Sequence, residues 1–127
     1  MGDSTMEKKA SQTKSRLLRF GVAIVRSCIK LKRTAIGRHV GSQLLRAGTS
    51  VGANYEEACG AASRTDFIYK LTIVYKEIRE SIYWLELIRH SGLLEENEIE
   101  DVLNEAKQIR AIIGKSVKTA KGKSQSI

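Results

Sequence analysis

Three carboxylates are the strongest candidates for chemistry in this chain. Glu57, Glu77 and Glu80 fall on two consecutive helical stretches, near Arg46 and Asn54 by spacing. A carboxylate pair in unequal surroundings can work as general acid and base. The same five residues can instead form a polar network that sets helix register or a subunit contact, with Arg46 or Lys76 neutralising the acids. Other chemistries find less support. Di-iron bundles need paired Glu-x-x-His motifs on two helices. The two histidines, His39 and His90, do not follow a Glu by three, and Glu86 with His90 has no second pair to answer it. Cys28 and Cys59 lie on helical faces and read as small buried hydrophobes. Ser50 and Ser63 lack a Gly-x-Ser-x-Gly setting, and no Gly-rich phosphate loop is present. No metal, cofactor or catalytic residue is therefore expected.

The elements that position these residues follow from spacing. The chain has 127 residues and no Pro, so the main breaker of long helices is missing. Leu17, Ile24, Cys28 and Leu31 predict a first helix from about 14 to 33. Gly37 and Gly41 mark a turn over 34–41. Val40, Leu44, Ala47, Val51, Tyr55, Ala58 and Ala62 predict a second helix over 40–62, whose interior Gly48, Gly52 and Gly60 suit close approach of a neighbouring backbone. Ser63 and Asp66 fit the cap and acidic first turn of a third helix, 64–90, closed by Ser91-Gly92. Ile99, Val102, Ala106, Ile109, Ile113 and Val117 predict a fourth over 95–120, acidic at its start and basic at its end, as the helix dipole favours. The expected fold is all-α: an antiparallel up-down-up-down four-helix bundle over 14–120, with flexible tails at 1–13 and 121–127.

One stretch carries more than periodicity. Arg46, Ser50, Asn54 and Glu57 form an Arg-x-x-x-Ser-x-x-x-Asn-x-x-Glu pattern within Gln43–Ser63. It is followed by Asp66-Phe67-Ile68-Tyr69-Lys70-Leu71, Lys76-Glu77, Glu80, the run Tyr83-Trp84-Leu85-Glu86-Leu87-Ile88, and Gly92-Leu93. Over Gln43–Leu94 the chain resembles the four-helix-bundle family of proteins encoded in bacterial 23S rRNA intervening sequences. Many members have Pro near Gly52, which this chain lacks. The resemblance implies a left-handed bundle, often a homopentameric ring, and no established catalytic activity. It also implies distant kinship to accessory variability proteins of diversity-generating retroelements, basic bundles that bind a reverse transcriptase and nucleic acid. With the resemblance added, the polar network is favoured over acid–base chemistry for Arg46, Asn54, Glu57, Glu77 and Glu80.

Charge and apolar breadth then suggest partners. The net charge of +8 resides in residues 1–38, with ten Lys/Arg against two acids; residues 39–92 and 93–127 each balance six against six. An up-down bundle brings the start of helix 1 to the end of helix 4. Lys14, Arg16 and Arg19 are therefore expected to join Lys115, Lys118 and Lys121 as a phosphate-binding cluster. Arg26, Lys30, Lys32 and Arg33 extend it, opposed by the acidic start of helix 4. Fourteen of the 22 positions from Phe67 to Ile88 are apolar, more than one buried stripe needs. Tyr69, Tyr75, Tyr83 and Trp84 are accordingly expected at a subunit interface. No apolar run is long enough for a membrane span, and the N-terminus has no apolar signal core, so a cytoplasmic protein is expected. The resulting expectation is a non-enzymatic, self-assembling bundle, pentameric by resemblance, whose basic surface meets RNA or DNA, with a protein such as a reverse transcriptase as a further candidate partner. The alternative is an oligomeric scaffold without nucleic-acid affinity.

Overall fold

A computed structural model describes residues 4–125 of the chain as four helices: α1 (Ser4–Leu31), α2 (Ala35–Cys59), α3 (Arg64–Ser91) and α4 (Glu96–Gln125). No strand occurs among the described residues. α1 packs on α2, α2 on α3 and α3 on α4, while α4 returns to α1 along a sparser seam. This is a four-helix bundle. Its core takes Leu17, Phe20 and Ile24 from α1, Leu44 and Val51 from α2, Leu71, Val74, Ile78 and Leu85 from α3, and Ile99, Leu103, Ile109 and Ile113 from α4. Each such side chain contributes roughly 1.5–3 kcal/mol by leaving water.

The ends of the helices have local causes. Thr34 caps α2, its hydroxyl accepting from the Gly37 N–H at 2.9 Å. Ser63 caps α3, accepting from Asp66 N–H at 3.1 Å. Gly92 ends α3 with φ 74°, a left-handed conformation that glycine adopts without a Cβ penalty, and Leu93 N–H donates to Ile88 O at 3.2 Å. The Glu95 N–H ahead of α4 donates to Glu98 Oε1 at 3.0 Å.

Three boundaries differ from expectation. α1 begins at Ser4 rather than near 14, because Met6, Ala10 and Thr13 carry the stripe of Leu17 back through the supposed tail. α4 likewise runs on to Gln125; residues 1–3 and 126–127 lie outside the described residues. The expected turn over 34–41 shrinks to 32–34, and Gly37 and Gly41 become part of α2. These glycines face α1. A Cβ at Gly41 would lie 3.4 Å from Leu31 Cβ, and one at Gly48 would lie 2.8 Å from Ile24 Cγ1. The second helix is thus glycine-rich because α1 lies close against it. Gly60 plays no such part: it caps α2, near only its own helix's carbonyls.

Candidate functional site

Arg46 joins α2 to α3. Its guanidinium hydrogen-bonds Glu80, and its Nη1 lies 3.7 Å from Glu77 Oε2. The Trp84 indole N–H, one turn on from Glu80, donates to the same carboxylate at 3.1 Å. Those bonds hold the Glu80 carboxyl below its ordinary range, Trp84 contributing most and Arg46 next, against partial burial. Glu77 Oε2 is buried and accepts no hydrogen bond. Asn54 and Glu57 are not brought into this group. Asn54 turns back to its own helix, donating to Ser50 O at 2.9 Å, and Glu57 is exposed. An arginine clamped on one carboxylate and facing a second offsets part of their joint negative charge and favours the ionised form of both, which suits an inter-helix tie better than proton transfer.

The basic cluster is divided by ion pairs. Arg16 donates to both oxygens of Glu105 at 2.8 Å and to Gln108 Oε1 at 2.9 Å. The fork-on-fork geometry lowers the Glu105 carboxyl and raises the Arg16 guanidinium. Lys14 turns towards α2, 3.6 Å from Glu56. Lys30 and Arg33 both reach Glu98, at 3.9 and 3.2 Å, and hold it below its ordinary range after the Glu95 N–H has done most of that work. Lys115, Lys118 and Lys121 are exposed and form no ion pair among the described residues, while Arg19, also exposed, adds to the field of Arg16 on Glu105. Arg16 opposite Glu105 and Gln108 places Lys115 and Lys118 level with the first turns of α1, where Lys8 and Lys9 are exposed. The unpaired basic end is therefore built with residues 4–13. Spacing had the signal for this in Met6, Ala10, Thr13 and Leu17, which step by four, three and four.

The aromatic residues of α3 separate into two kinds. Tyr69 and Tyr83 are exposed. Tyr75 and Trp84 pack against the core, Tyr75 beside Gly114 and Trp84 edge-on to Tyr83 with ring centroids 5.1 Å apart. Part of the apolar excess of α3 is thus used inside the bundle, and Tyr69 and Tyr83 remain on its surface. A further exposed apolar stripe lies on α1, at Leu18, Val22, Val25 and Ile29.

The two cysteines also part. Cys28 is buried and donates to Gly41 O at 3.3 Å, and burial pushes its thiol up to about 11. Cys59 is exposed, which corrects the expectation of a buried hydrophobe: it sits on the last turn of α2, where the bundle opens. Its neighbour Tyr55 is pushed up to about 12, chiefly by burial and then by Cys59. Both line a groove of about 740 Å³ at that end, with Thr13, Phe67, Ile109 and Ile113. Among the described residues no three His, Cys, Asp or Glu side chains gather as a metal site, and no helix is long and apolar enough to cross a membrane.

Residues 9–115 match the family described as 23S rRNA-intervening sequence protein. The chain belongs to that family. A solved member of the S23 ribosomal protein family from Bacteroides thetaiotaomicron, itself described as of unknown function, is 36% identical. It superimposes with a TM-score of 0.76, over 84% of this chain and 98% of that one. Comparison with curated proteins finds no match. For an intervening-sequence protein, the match spans α1 from Lys9 and α4 up to Lys115, so the resemblance first seen in Gln43–Leu94 reaches all four helices.

Proposed function

We propose that this intervening-sequence protein is a non-enzymatic, self-assembling bundle that presents one basic end to RNA or DNA in the cytoplasm. The observation that carries the reading is the group of exposed lysines with no carboxylate partner among the described residues, Lys8 and Lys9 on α1 with Lys115, Lys118 and Lys121 on α4. Lysines free of ion pairs can release phosphate counterions on binding, whereas Arg16, already forked onto Glu105, is committed elsewhere. We take the helix order as up-down-up-down, since the cross-helix pairs Ile24–Gly48, Arg46–Glu80 and Tyr75–Gly114 suit antiparallel neighbours. A left-handed supercoil and a five-membered ring are the family's expectation. Repetition of the lysine end around a ring would turn weak phosphate contacts into avidity. A protein partner such as a reverse transcriptase is compatible with the same surface.

Fluorescence anisotropy with labelled single-stranded RNA over a salt series tests this reading. The expected result is binding at low salt that weakens steeply as salt rises, with a shallower slope for Lys115→Gln/Lys118→Gln. No binding at low salt would leave the scaffold reading, which the ion pairing of Lys14, Arg16, Lys30 and Arg33 favours.

A further inference from the structure

We infer that the outward face of α3 is a platform for an unpaired stretch of nucleic acid, with Tyr69 and Tyr83 stacking on bases and Lys76 and Arg79 meeting the phosphates between them. This deepens the nucleic-acid reading above and rests on it. Tyr69, Thr72, Lys76, Arg79 and Tyr83 are all exposed and step by three, four, three and four, so they share one line along the helix. The two rings are 65 and 58% exposed, which leaves most of each open to a partner. Tyr83 is braced edge-on by Trp84, which packs against the core and donates its indole N–H to Glu80. The Arg79 guanidinium lies over the Tyr75 ring, 5.9 Å from its centroid, and is steadied there.

Charge decides what the line fits. Each of the four acids of α3 already faces a cation: Asp66 with Lys70, Glu77 and Glu80 with Arg46, and Glu86 with Lys107. Lys76 and Arg79 form no ion pair among the described residues, while Lys76 adds to the field of Arg46 on Glu80. The line therefore shows cations between aromatic rings and no carboxylate, the complement of a polyanion that carries flat apolar faces. A duplex hides those faces inside its stack, so only an unpaired strand can use both rings. The same line on a second copy would set cation against cation. Tyr69 and Tyr83 are fourteen residues apart, roughly 21 Å along the axis, so they take separate bases of one strand. With α3 and α4 antiparallel, the Tyr75–Gly114 contact brings Tyr69 level with Ala120. The line thus starts at the height of Lys118 and Lys121, and a strand held by the lysine end continues along it.

Fluorescence anisotropy with a labelled RNA free of self-complementarity, alone and annealed to its complement, tests the assignment on the full chain. Far-UV circular dichroism and sedimentation are the controls for folding and assembly. Tyr69→Ala/Tyr83→Ala is expected to weaken single-strand binding by at least about fivefold, the low end for one stacked base. Its salt slope should stay that of wild type, because stacking releases no counterions, and its duplex affinity should not move. Tyr69→Phe/Tyr83→Phe should bind as wild type, since the ring and not the hydroxyl stacks. Unchanged single-strand binding by the alanine variant overturns the platform, and if Lys115→Gln/Lys118→Gln still weakens binding, the lysine-end reading stands. Equal losses on single strand and duplex also overturn the platform, as does a changed assembly state, which would make the α3 face a subunit contact. No binding by wild type at low salt overturns both readings. If the alanine variant loses helicity, Tyr69→Ala alone is held to the same outcomes.

Discussion

Arg16 and Glu105 show how a single pairing redirects a charge. On the sequence Arg16 is one more cation of a basic segment. In the fold it is the tie across the sparse α1–α4 seam, and its fork is occupied. The Glu105 carboxyl is depressed in the folded state, so its stabilising effect is complete above the ordinary 4.5 and is lost as pH falls through the lower folded value. Glu80 and Glu98 are shifted in the same direction. Thermal unfolding followed from pH 7 downwards should therefore show a melting temperature that drops below pH 4.5. Glu105→Gln should be less stable at pH 7 and show a smaller drop on acidification. At the α2–α3 tie, Glu80→Gln should cost about 1 kcal/mol, the scale of a partly exposed hydrogen-bonded pair. A red-shift or quenching change in Trp84 emission should accompany it, because the indole loses its charged acceptor.

At the scale of elements, the α1–α2 contact depends on glycine. Gly48→Ala would gain about 1 kcal/mol of helix propensity. The new methyl would meet both γ carbons of Ile24 at 2.8 Å, and Ile24 is β-branched and wholly buried, so it has no room to yield. The net expectation is destabilisation by about 1–3 kcal/mol, measured by urea denaturation. The first turns of α1 make a second element-scale case. These turns contribute to the groove at that end of the bundle, Met6, Ala10 and Thr13 alongside Phe67 and Ile113. Deleting residues 1–13 should lower the melting temperature and, by removing Lys8 and Lys9, weaken RNA binding together.

For the whole molecule, net charge and its placement have separate consequences. A chain of +8 attracts any polyanion; Lys8, Lys9, Lys115, Lys118 and Lys121 gather at one end, while Arg26 and Lys32 are exposed farther along, without an ion pair among the described residues. Binding that tracks Lys115 and Lys118 would mark an end-on surface. Binding reduced equally by Arg26→Gln/Lys32→Gln would mark a diffuse field instead. If the apolar stripe of α1 is covered in an assembly, raising salt should affect RNA affinity more than oligomer mass, because the stripe is apolar and the lysine end is not.

Local order was legible in the residues themselves. The 3–4 spacing of apolar positions, the Ser63 cap, the Gly92 stop and the absence of Pro act within a helix, so four helices and most core residues follow from sequence alone. The Arg46–Glu77–Glu80 tie was legible too, as residue types at matching positions on adjacent helices. The helical start at Ser4 was present in the spacing of Met6, Ala10 and Thr13 but masked by the polarity of their neighbours. Only tertiary structure decided which cations are spent, which aromatics are covered and which helix shows an uncovered seam. Each of these depends on what stands across from a side chain on another helix. A one-dimensional pattern records how apolar a helix is, as for α3, without recording whether its own bundle covers the excess. Trp84 therefore turned inward to Glu80, while the seam of α1 stayed open.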